Sequence, residues 1–150
     1  MRRNVSVKSG PFRHAQSISV GPHVLHADEP ASKGGNHAGP DAEELLMASL
    51  GACASITAQM YADRKRWLLH AVQVSVSYAR VPTQDTVESG ARVGTVDQFE
   101  MEISLIGDLS QEQRNRIFEI ASKCTVHRML VSNVQIHATL LGPSSPRGDL

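Results

Sequence analysis

Two cysteines are the residues of this chain with the clearest capacity for chemistry. Cys53 and Cys124 are the only thiols among 150 residues, and about 70 positions separate them. In a reducing compartment such a pair is more often two free thiols or a redox couple than a structural disulfide. A free cysteine also commonly serves as a small buried apolar side chain, so spacing alone leaves both interpretations open.

A reactive Cys53 would need help from its surroundings. Burial raises the pKa of a thiol and leaves it protonated and inert. Cys53 lies about three turns into a helix predicted over residues 41–66, beyond the first turn in which the helix dipole acts. We therefore expect a nearby cation if Cys53 is a nucleophile.

The helix predicted over residues 41–66 is the element around which the rest must fold. Asp41 and Glu44 have the spacing of a capping box, and three consecutive cations close the far end, where the dipole favours them. No residue from Leu45 to Met60 is charged, and this run is shorter than the roughly 18 apolar residues that span a bilayer. The pattern predicts a buried core helix without a membrane role, apolar on nearly every side.

Alternating apolar and polar residues predict strands on both sides of this helix. Before it we expect a small antiparallel meander over about residues 3–26 and a loop rich in glycine and proline over residues 27–40. After it the predicted elements are strands over 71–81 and 96–106 joined by a mobile connection, a helix over 110–124 that carries Cys124 at its end, a strand over 132–141, and a flexible tail over 142–150.

This order predicts one α+β domain with its helices against one face of a mostly antiparallel sheet. A single sheet layer covers only one side of the long helix, although that helix is apolar nearly all round. The remaining side needs a partner, and a second copy of the chain would supply one. The sequence therefore predicts a homodimer with the core helices at its centre.

Composition and motifs exclude several other functions. The formal net charge is zero and the cations are not gathered on one element, so a nucleic-acid partner is not expected. The N-terminus has no signal-peptide pattern, which favours the cytoplasm. Cys124 and His127 have a spacing typical of metal ligands, but no second pair completes a zinc site, so neither a metal nor another cofactor is expected.

Several motifs together resemble the OsmC/Ohr family of thiol peroxidases, named after osmotically inducible protein C and the organic hydroperoxide resistance protein. The resemblance covers roughly residues 10–141 and is closer to the OsmC-like branch than to Ohr proper. It is carried by His26-Ala27-Asp28-Glu29-Pro30, Gly39-Pro40, Glu43-Glu44-Leu45-Leu46, Leu50-Gly51-Ala52-Cys53, Met60-Tyr61-Ala62, Leu109-Ser110-Gln111-Glu112-Gln113 and Lys123-Cys124-Thr125-Val126-His127-Arg128.

The resemblance implies an intertwined homodimer with active sites at its interface. By analogy Cys53 is the thiol that attacks a hydroperoxide, and Cys124 resolves the resulting sulfenic acid to a disulfide. An external dithiol, such as a lipoyl-type reductant, would reset the pair. Members of this branch often have Cys-Pro-Val-His at the second cysteine, and here Thr125 replaces the proline.

The family also implies an Arg–Glu pair that assists the first cysteine. Glu43, ten positions before Cys53, corresponds to the carboxylate. The arginine belongs to the N-terminal hairpin region, so we assign Arg13, which follows the Gly10-Pro11 turn, in preference to Arg3 or Arg2.

The sequence thus predicts a cytoplasmic, homodimeric, cofactor-free thiol peroxidase. The apolar side chains of Leu46, Leu50 and Met60 around Cys53 favour an organic hydroperoxide as substrate. Two alternatives use the same cysteines: a thiol–disulfide exchange protein, and a dimer that senses redox state or binds a ligand without catalysis.

Overall fold

The fold is described from a computed structural model covering residues 3–83 and 94–142. The predicted connection over 82–95 falls largely outside these residues, as does the predicted tail beyond residue 142. The elements in chain order are β1 (Ser6–Ser9), β2 (Gln16–Val20), β3 (His23–Ala27), a 3-10 turn (Ala31–Lys33), α1 (Ala42–Lys65), β4 (Leu68–Pro82), β5 (Thr95–Asp108), α2 (Gln111–Ser122) and α3 (Thr125–Leu130).

The strands form two antiparallel sheets. Strands β1, β2 and β3 make an N-terminal meander, and β4 and β5 make a long two-stranded ribbon. Along the ribbon Val72, Val74 and Val76 share the face that packs toward α1, as the alternation predicts. The predicted class, helices combined with antiparallel sheets, is confirmed.

Helix α1 begins where the sequence places its cap. The backbone N–H of Glu44 donates to the Asp41 side chain at 2.8 Å, and the backbone N–H of Asp41 donates to the Glu44 carboxylate at 2.9 Å. The chain leaves the helix at Arg66, whose φ of 56° is left-handed, and turns directly into β4. Helix α1 and strand β4 are therefore consecutive in the chain and run in opposite directions.

Small residues let two elements approach α1 closely. Every fourth residue along one side is buried, in the series Leu50, Ala54, Ala58 and Ala62, and α2 packs there through the fully buried Ile117. On an adjacent side the ribbon comes so near that a Cβ at Gly51 would lie 3.3 Å from the Val76 side chain. Close packing on these two sides fixes the position of the α2 end relative to the middle of α1.

The remaining side of α1 is uncovered in the single chain. Ile56 is 55% exposed and Met60 is 59% exposed. An 18-residue window of this helix has mean hydropathy 1.3, enough to cross a membrane by length and composition alone, and 22% of it is buried within the chain. A core helix of a soluble protein passes the same test, but this helix has an apolar face that its own chain does not cover.

Two differences from the sequence prediction lie near the C-terminus. The strand predicted over 132–141 is wrong for the single chain: residues 133–142 have no regular structure, and Ile136 is 87% exposed. Alternation produces a strand only where a neighbouring strand supplies hydrogen bonds, and within the described chain none pairs with this segment. The helix predicted to reach Cys124 ends at Ser122, and α3 follows as a separate helix that was not predicted.

A buried carboxylate organises the loop that leads into α1. Asp28 is 4% exposed and accepts hydrogen bonds from the backbone N–H groups of Glu29, Asn36 and Ala38. The N–H of Ala38 contributes most to holding the pKa of Asp28 below its ordinary value, against the opposite effect of desolvation. A Cβ at Gly39 would lie 2.5 Å from the carbonyl oxygen of His26, so the loop passes too close to β3 for any other residue.

Candidate functional site

The structure brings the two cysteines together. Cys53 lies in the middle of α1 and is half-buried, whereas Cys124 is 2% exposed at the junction between α2 and α3. Their side chains lie next to each other in one packed cluster, and both are free thiols. Close approach of α2 to the alanine series of α1 is what carries Cys124 to this position.

The surroundings of Cys53 favour its thiolate form. Burial alone would raise the pKa of Cys53, but hydrogen bonding to the backbone N–H of Val126, the thiol of Cys124 and the backbone N–H of Thr125 outweighs it. The net effect is a pKa below the ordinary thiol value. Within the described chain no cation is among the strongest influences on this pKa, in contrast to the expectation that Cys53 would require one.

The surroundings of Cys124 favour its protonated form. Burial raises the pKa of Cys124 most, and the adjacent Cys53 raises it further. The backbone N–H groups of His127 and Val126 act in the opposite direction without cancelling these effects. The pKa values of the pair are therefore shifted in opposite directions, so Cys53 is the thiol that loses its proton more readily.

Two further side chains lie next to the pair. The Thr57 hydroxyl, which also lowers the pKa of Cys53, donates to the Cys53 carbonyl oxygen at 2.6 Å. The Nδ1 atom of His127 is buried and has no hydrogen-bond partner in the described chain. Neither role was predicted from the sequence.

Helix α3 begins at Thr125, the position at which the resemblance implies a proline. Proline is favoured at the first position of a helix, so a Cys-Pro sequence is typical of a helix start, and Thr125 occupies that first position in α3. Threonine keeps the backbone N–H that proline lacks. At this position the N–H lowers the pKa of Cys53, so threonine supplies a donor that proline would lack.

The other two predicted site residues lie elsewhere in the single chain. Glu43 is exposed on the first turn of α1, ten residues or roughly 15 Å of helix from Cys53. Arg13 is exposed in the turn between β1 and β2. The described chain brings neither residue against the sulfur pair.

A groove runs along the edge of α1 from Leu50, which belongs to the same buried cluster as Cys124, toward Glu43. We call it the lateral groove, and it has two adjoining parts of about 410 Å³ and 260 Å³ that share Asp97 and Phe99. The part nearer the cysteines is lined also by Leu50, Met101, His127, Leu130 and Val131, and the farther part by Glu43, Leu46, Tyr78 and Arg80.

Polar side chains are concentrated at the far end of the lateral groove. Asp97 accepts hydrogen bonds from the Tyr78 hydroxyl at 2.8 Å and from Arg80 Nε at 2.9 Å. Arg80, followed by Tyr78, lowers the pKa of Asp97, which is therefore ionised at neutral pH.

No metal centre is found among the described residues. No group of three or more His, Cys, Asp or Glu side chains in residues 3–83 and 94–142 could hold a metal ion. His127 has the ligand-like spacing from Cys124 noted in the sequence, but its buried Nδ1 is unpartnered there.

The contribution of the Thr125 N–H to the thiolate can be measured directly. We expect Thr125→Pro to raise the pKa of Cys53, because proline at this position removes one donor while remaining compatible with the first turn of a helix. The measurement is the pH profile of Cys53 alkylation by iodoacetamide, with the modified cysteine identified by mass spectrometry.

Thr125→Ala is the matched control, because alanine removes the same side chain but keeps the N–H. Its alkylation profile should stay close to that of the unaltered protein. Equal pKa values in the proline and alanine variants would show that this N–H does not stabilise the thiolate.

Comparison with known proteins identifies the family of this chain. The chain matches the family described as OsmC-like protein over residues 34–139. Comparison with curated proteins gave no match.

Solved structures with this fold come from several bacteria. An organic hydroperoxide resistance protein OsmC from Legionella pneumophila is 15% identical, with a TM-score of 0.62 over 89% of this chain and 91% of that one. An OsmC-like protein from Mycoplasma pneumoniae is 15% identical, with a TM-score of 0.64 over 87% of each chain. An organic hydroperoxide resistance protein from Elizabethkingia anophelis is 14% identical, with a TM-score of 0.63 over 89% and 90%. With the family match over most of its length, the chain belongs to the OsmC-like family.

Proposed function

We propose that this protein is a thiol peroxidase that reduces organic hydroperoxides through Cys53 and Cys124. The observation that carries the proposal is the contact between two free thiols whose pKa values are shifted in opposite directions. A nucleophile needs a thiolate, and a resolving group needs to lie within reach of the oxidised sulfur. The pair meets both requirements.

The first step oxidises Cys53 and reduces the hydroperoxide. The Cys53 thiolate attacks the outer peroxide oxygen, a sulfur–oxygen bond forms, and the oxygen–oxygen bond breaks. The electron pair leaves with the inner oxygen as an alkoxide, which takes a proton to become an alcohol. Cys53 becomes a sulfenic acid. We propose that the backbone N–H groups of Val126 and Thr125, which stabilise the thiolate, also donate to the peroxide oxygen that the sulfur attacks.

The second step forms a disulfide and releases water. The Cys124 sulfur attacks the sulfenic sulfur, the sulfur–oxygen bond breaks, and the hydroxyl leaves with the Cys124 proton as water. The buried Cys124 keeps its proton until this step, which prevents it from competing for peroxide. Reduction of the disulfide by an external dithiol, for which a lipoyl-type dithiol is suitable, then restores two thiols by exchange.

An organic substrate fits the surroundings of the pair better than hydrogen peroxide does. Leu50, Phe99 and Met101 pack around the cysteines and line the near part of the lateral groove. An apolar substituent on the peroxide would be removed from water there, at about 25 cal/mol per Å² of apolar surface buried. Relatives of similar fold carry the name organic hydroperoxide resistance protein.

We further propose that the working form is a homodimer in the cytoplasm. The uncovered face of α1 includes Ile56 and Met60, and the meander carries exposed apolar side chains such as Val7 and Leu25. A second copy of the chain can cover both surfaces and can supply a strand partner for residues 132–141. The reducing cytoplasm would keep both thiols available between turnovers.

The dimer also gives a role to Arg13, which lies in the turn of the meander. We propose that the meander of one chain brings Arg13 toward Cys53 in the dimer, where its guanidinium stabilises the thiolate and the leaving alkoxide. Glu43, exposed on the first turn of α1, would orient that guanidinium through paired hydrogen bonds.

Thiol–disulfide exchange is a second candidate supported by the same sulfur contact. In that reaction a disulfide formed between Cys53 and Cys124 passes to another dithiol without peroxide consumption. The two functions share the disulfide and differ in how it forms, so peroxide turnover separates them.

The cysteine roles predict different outcomes for two serine variants. Cys53→Ser should lower kcat/KM for cumene hydroperoxide by roughly three orders of magnitude or more in the presence of dithiothreitol, because it removes the nucleophile. Cys124→Ser should consume about one equivalent of peroxide per active site in the absence of dithiol and retain a sulfenic acid. Peroxide consumption and dimedone labelling measure these outcomes.

Unaltered turnover in Cys53→Ser would show that another residue is the nucleophile. If the unaltered protein does not consume peroxide but exchanges disulfides with a dithiol substrate, exchange is the function and the peroxidase proposal is wrong.

The proposed role of Arg13 predicts that Arg13→Ala raises the pKa of Cys53 in the assembled protein. Removal of a nearby guanidinium disfavours the thiolate, so the alkylation profile should move to higher pH. Arg3→Ala is the matched control, since Arg3 is an exposed arginine at the start of the same meander. Identical profiles for both variants would assign the role to another cation.

The dimer predicts a specific sensitivity to charge on the uncovered face of α1. Ile56→Asp should shift the protein from dimer to monomer in sedimentation velocity experiments, because it places a carboxylate in the apolar interface. Ile106→Asp, at a comparably exposed position on β5, should leave the mass unchanged. A monomeric unaltered protein, or one that stays in solution only with detergent, would contradict the dimer and favour a monomeric or membrane-bound form.

A further inference from the structure

Thr57 places a hydroxyl in the apolar stripe of α1 that contains Cys53. Residues spaced three and four apart share one face of a helix, and on α1 this spacing gives the series Leu46, Leu50, Cys53, Thr57 and Met60. Among these five residues only Thr57 carries a side-chain oxygen. Cys53 and Thr57 are both half-buried and lie one helical turn apart, so the hydroxyl is positioned to act on the sulfur.

The Thr57 hydroxyl is held beside the backbone of Cys53. It donates to the Cys53 carbonyl oxygen at 2.6 Å, and this bond selects the threonine rotamer that turns the side-chain oxygen back along α1 toward Cys53. A hydroxyl has one hydrogen to donate and two lone pairs that accept. While its hydrogen is on the carbonyl, its oxygen is therefore still an acceptor for the weak S–H donor of Cys53.

Loss of the thiol proton changes which hydrogen bonds the hydroxyl favours. A thiolate is a charged acceptor, and a hydrogen bond to a charged acceptor is roughly twice as strong as one to a neutral carbonyl. The change requires only rotation of the hydroxyl hydrogen. The Cys53 carbonyl keeps a partner, because it is also the helical acceptor for the backbone N–H of Thr57. The exchange therefore requires no movement of the packed helices.

We propose that Thr57 is a positioning residue for Cys53, and that its hydroxyl changes acceptor from the Cys53 carbonyl to the Cys53 sulfur when the thiol loses its proton to water. The contribution of Thr57 to lowering the pKa of Cys53 agrees with this role. The inference rests on the proposed function for its effect on turnover, because that function makes Cys53 the nucleophile. Its main test follows the ionisation of Cys53 and does not require turnover.

A threonine that bonds the carbonyl four residues back is also a common local feature of helices. In that role the hydroxyl would affect only the backbone, and the ionisation of Cys53 would not depend on it. The two roles therefore differ in the pKa of Cys53 after the hydroxyl is removed.

The experiment measures the pH profile of Cys53 alkylation by iodoacetamide in the full protein with three substitutions. Thr57→Val keeps the branched shape and removes the hydroxyl, Thr57→Ala removes it without adding bulk, and Thr57→Ser retains it. We expect the valine and alanine variants to raise the pKa of Cys53, so that the thiolate fraction below that pKa falls roughly three- to tenfold. The serine variant should stay close to the unaltered protein.

Ser55→Ala is the matched control, because it removes a hydroxyl from the same helix within one turn of Cys53. Ser55 lines a cavity between α1 and the ribbon and is not among the groups that act most strongly on Cys53. Its alkylation profile should match that of the unaltered protein. The inference is overturned if the valine and alanine variants keep the unaltered profile, or if Thr57→Ser or Ser55→Ala shifts it as far as Thr57→Val does.

The pH dependence of turnover separates an effect on ionisation from a distorted site. At a pH below both pKa values, Thr57→Val should lower kcat/KM for cumene hydroperoxide roughly three- to tenfold, in proportion to its smaller thiolate fraction. Above both pKa values the loss should disappear, since both proteins are fully ionised and a thiolate of higher pKa is at least as nucleophilic. A loss that persists at every pH would give Thr57 a structural role alone and overturn the inference.

The two measurements also distinguish this inference from the proposed function. The expected pKa shifts without peroxide consumption by the unaltered protein would refute the peroxidase and leave the role of Thr57 at Cys53 intact. Peroxide turnover with an unchanged Cys53 pKa in Thr57→Val and Thr57→Ala would refute the role of Thr57 alone.

Discussion

The contact between the Cys53 and Cys124 sulfurs depends on how closely two helices can approach. The alanine series of α1 leaves room for α2 to pack through Ile117, and this packing fixes the end of α2 beside the middle of α1. A larger residue at Ala58 would push α2 outward and carry Cys124 away with it. The position of the pair thus rests on van der Waals contact between small side chains on successive turns of α1.

The same packing solves the electrostatic problem of a buried thiolate. A negative charge in an apolar site is unfavourable unless donors are aimed at it, and the chain reversal after α2 supplies backbone N–H groups that have no helical partner of their own. The backbone N–H groups of Thr125 and Val126 are donors to Cys53. A donor on the backbone loses little conformational entropy, in contrast to a long cationic side chain that must be ordered. In the single chain the thiolate is therefore favoured before any arginine arrives.

The sequence predicted best those parts of the structure that depend on interactions between residues close together in the chain. Helix α1 and the ribbon carry strong local signals, a capping box and a period of two, and the structure has both elements. Helix α3 has six residues, too few to show periodicity, and it begins at a threonine instead of a proline, which would have marked a helix start. The segment 132–141 alternates like a strand without a partner in its own chain. Glu43 and Arg13 were assigned by resemblance, and the single chain brings neither to the sulfurs.

These limits share one physical cause, which is that the surfaces of this chain are incomplete on their own. The uncovered face of α1, the meander and the segment 132–141 all carry exposed apolar side chains, whereas the sulfur pair is already assembled inside one chain. Assembly and chemistry are therefore separable in principle: the redox couple needs only α1, α2 and α3, and a guanidinium near it needs a second copy. A single chain with a poised thiolate but no organised cation would react with peroxide slowly, so dimer formation would act on the rate of the first step rather than on disulfide formation.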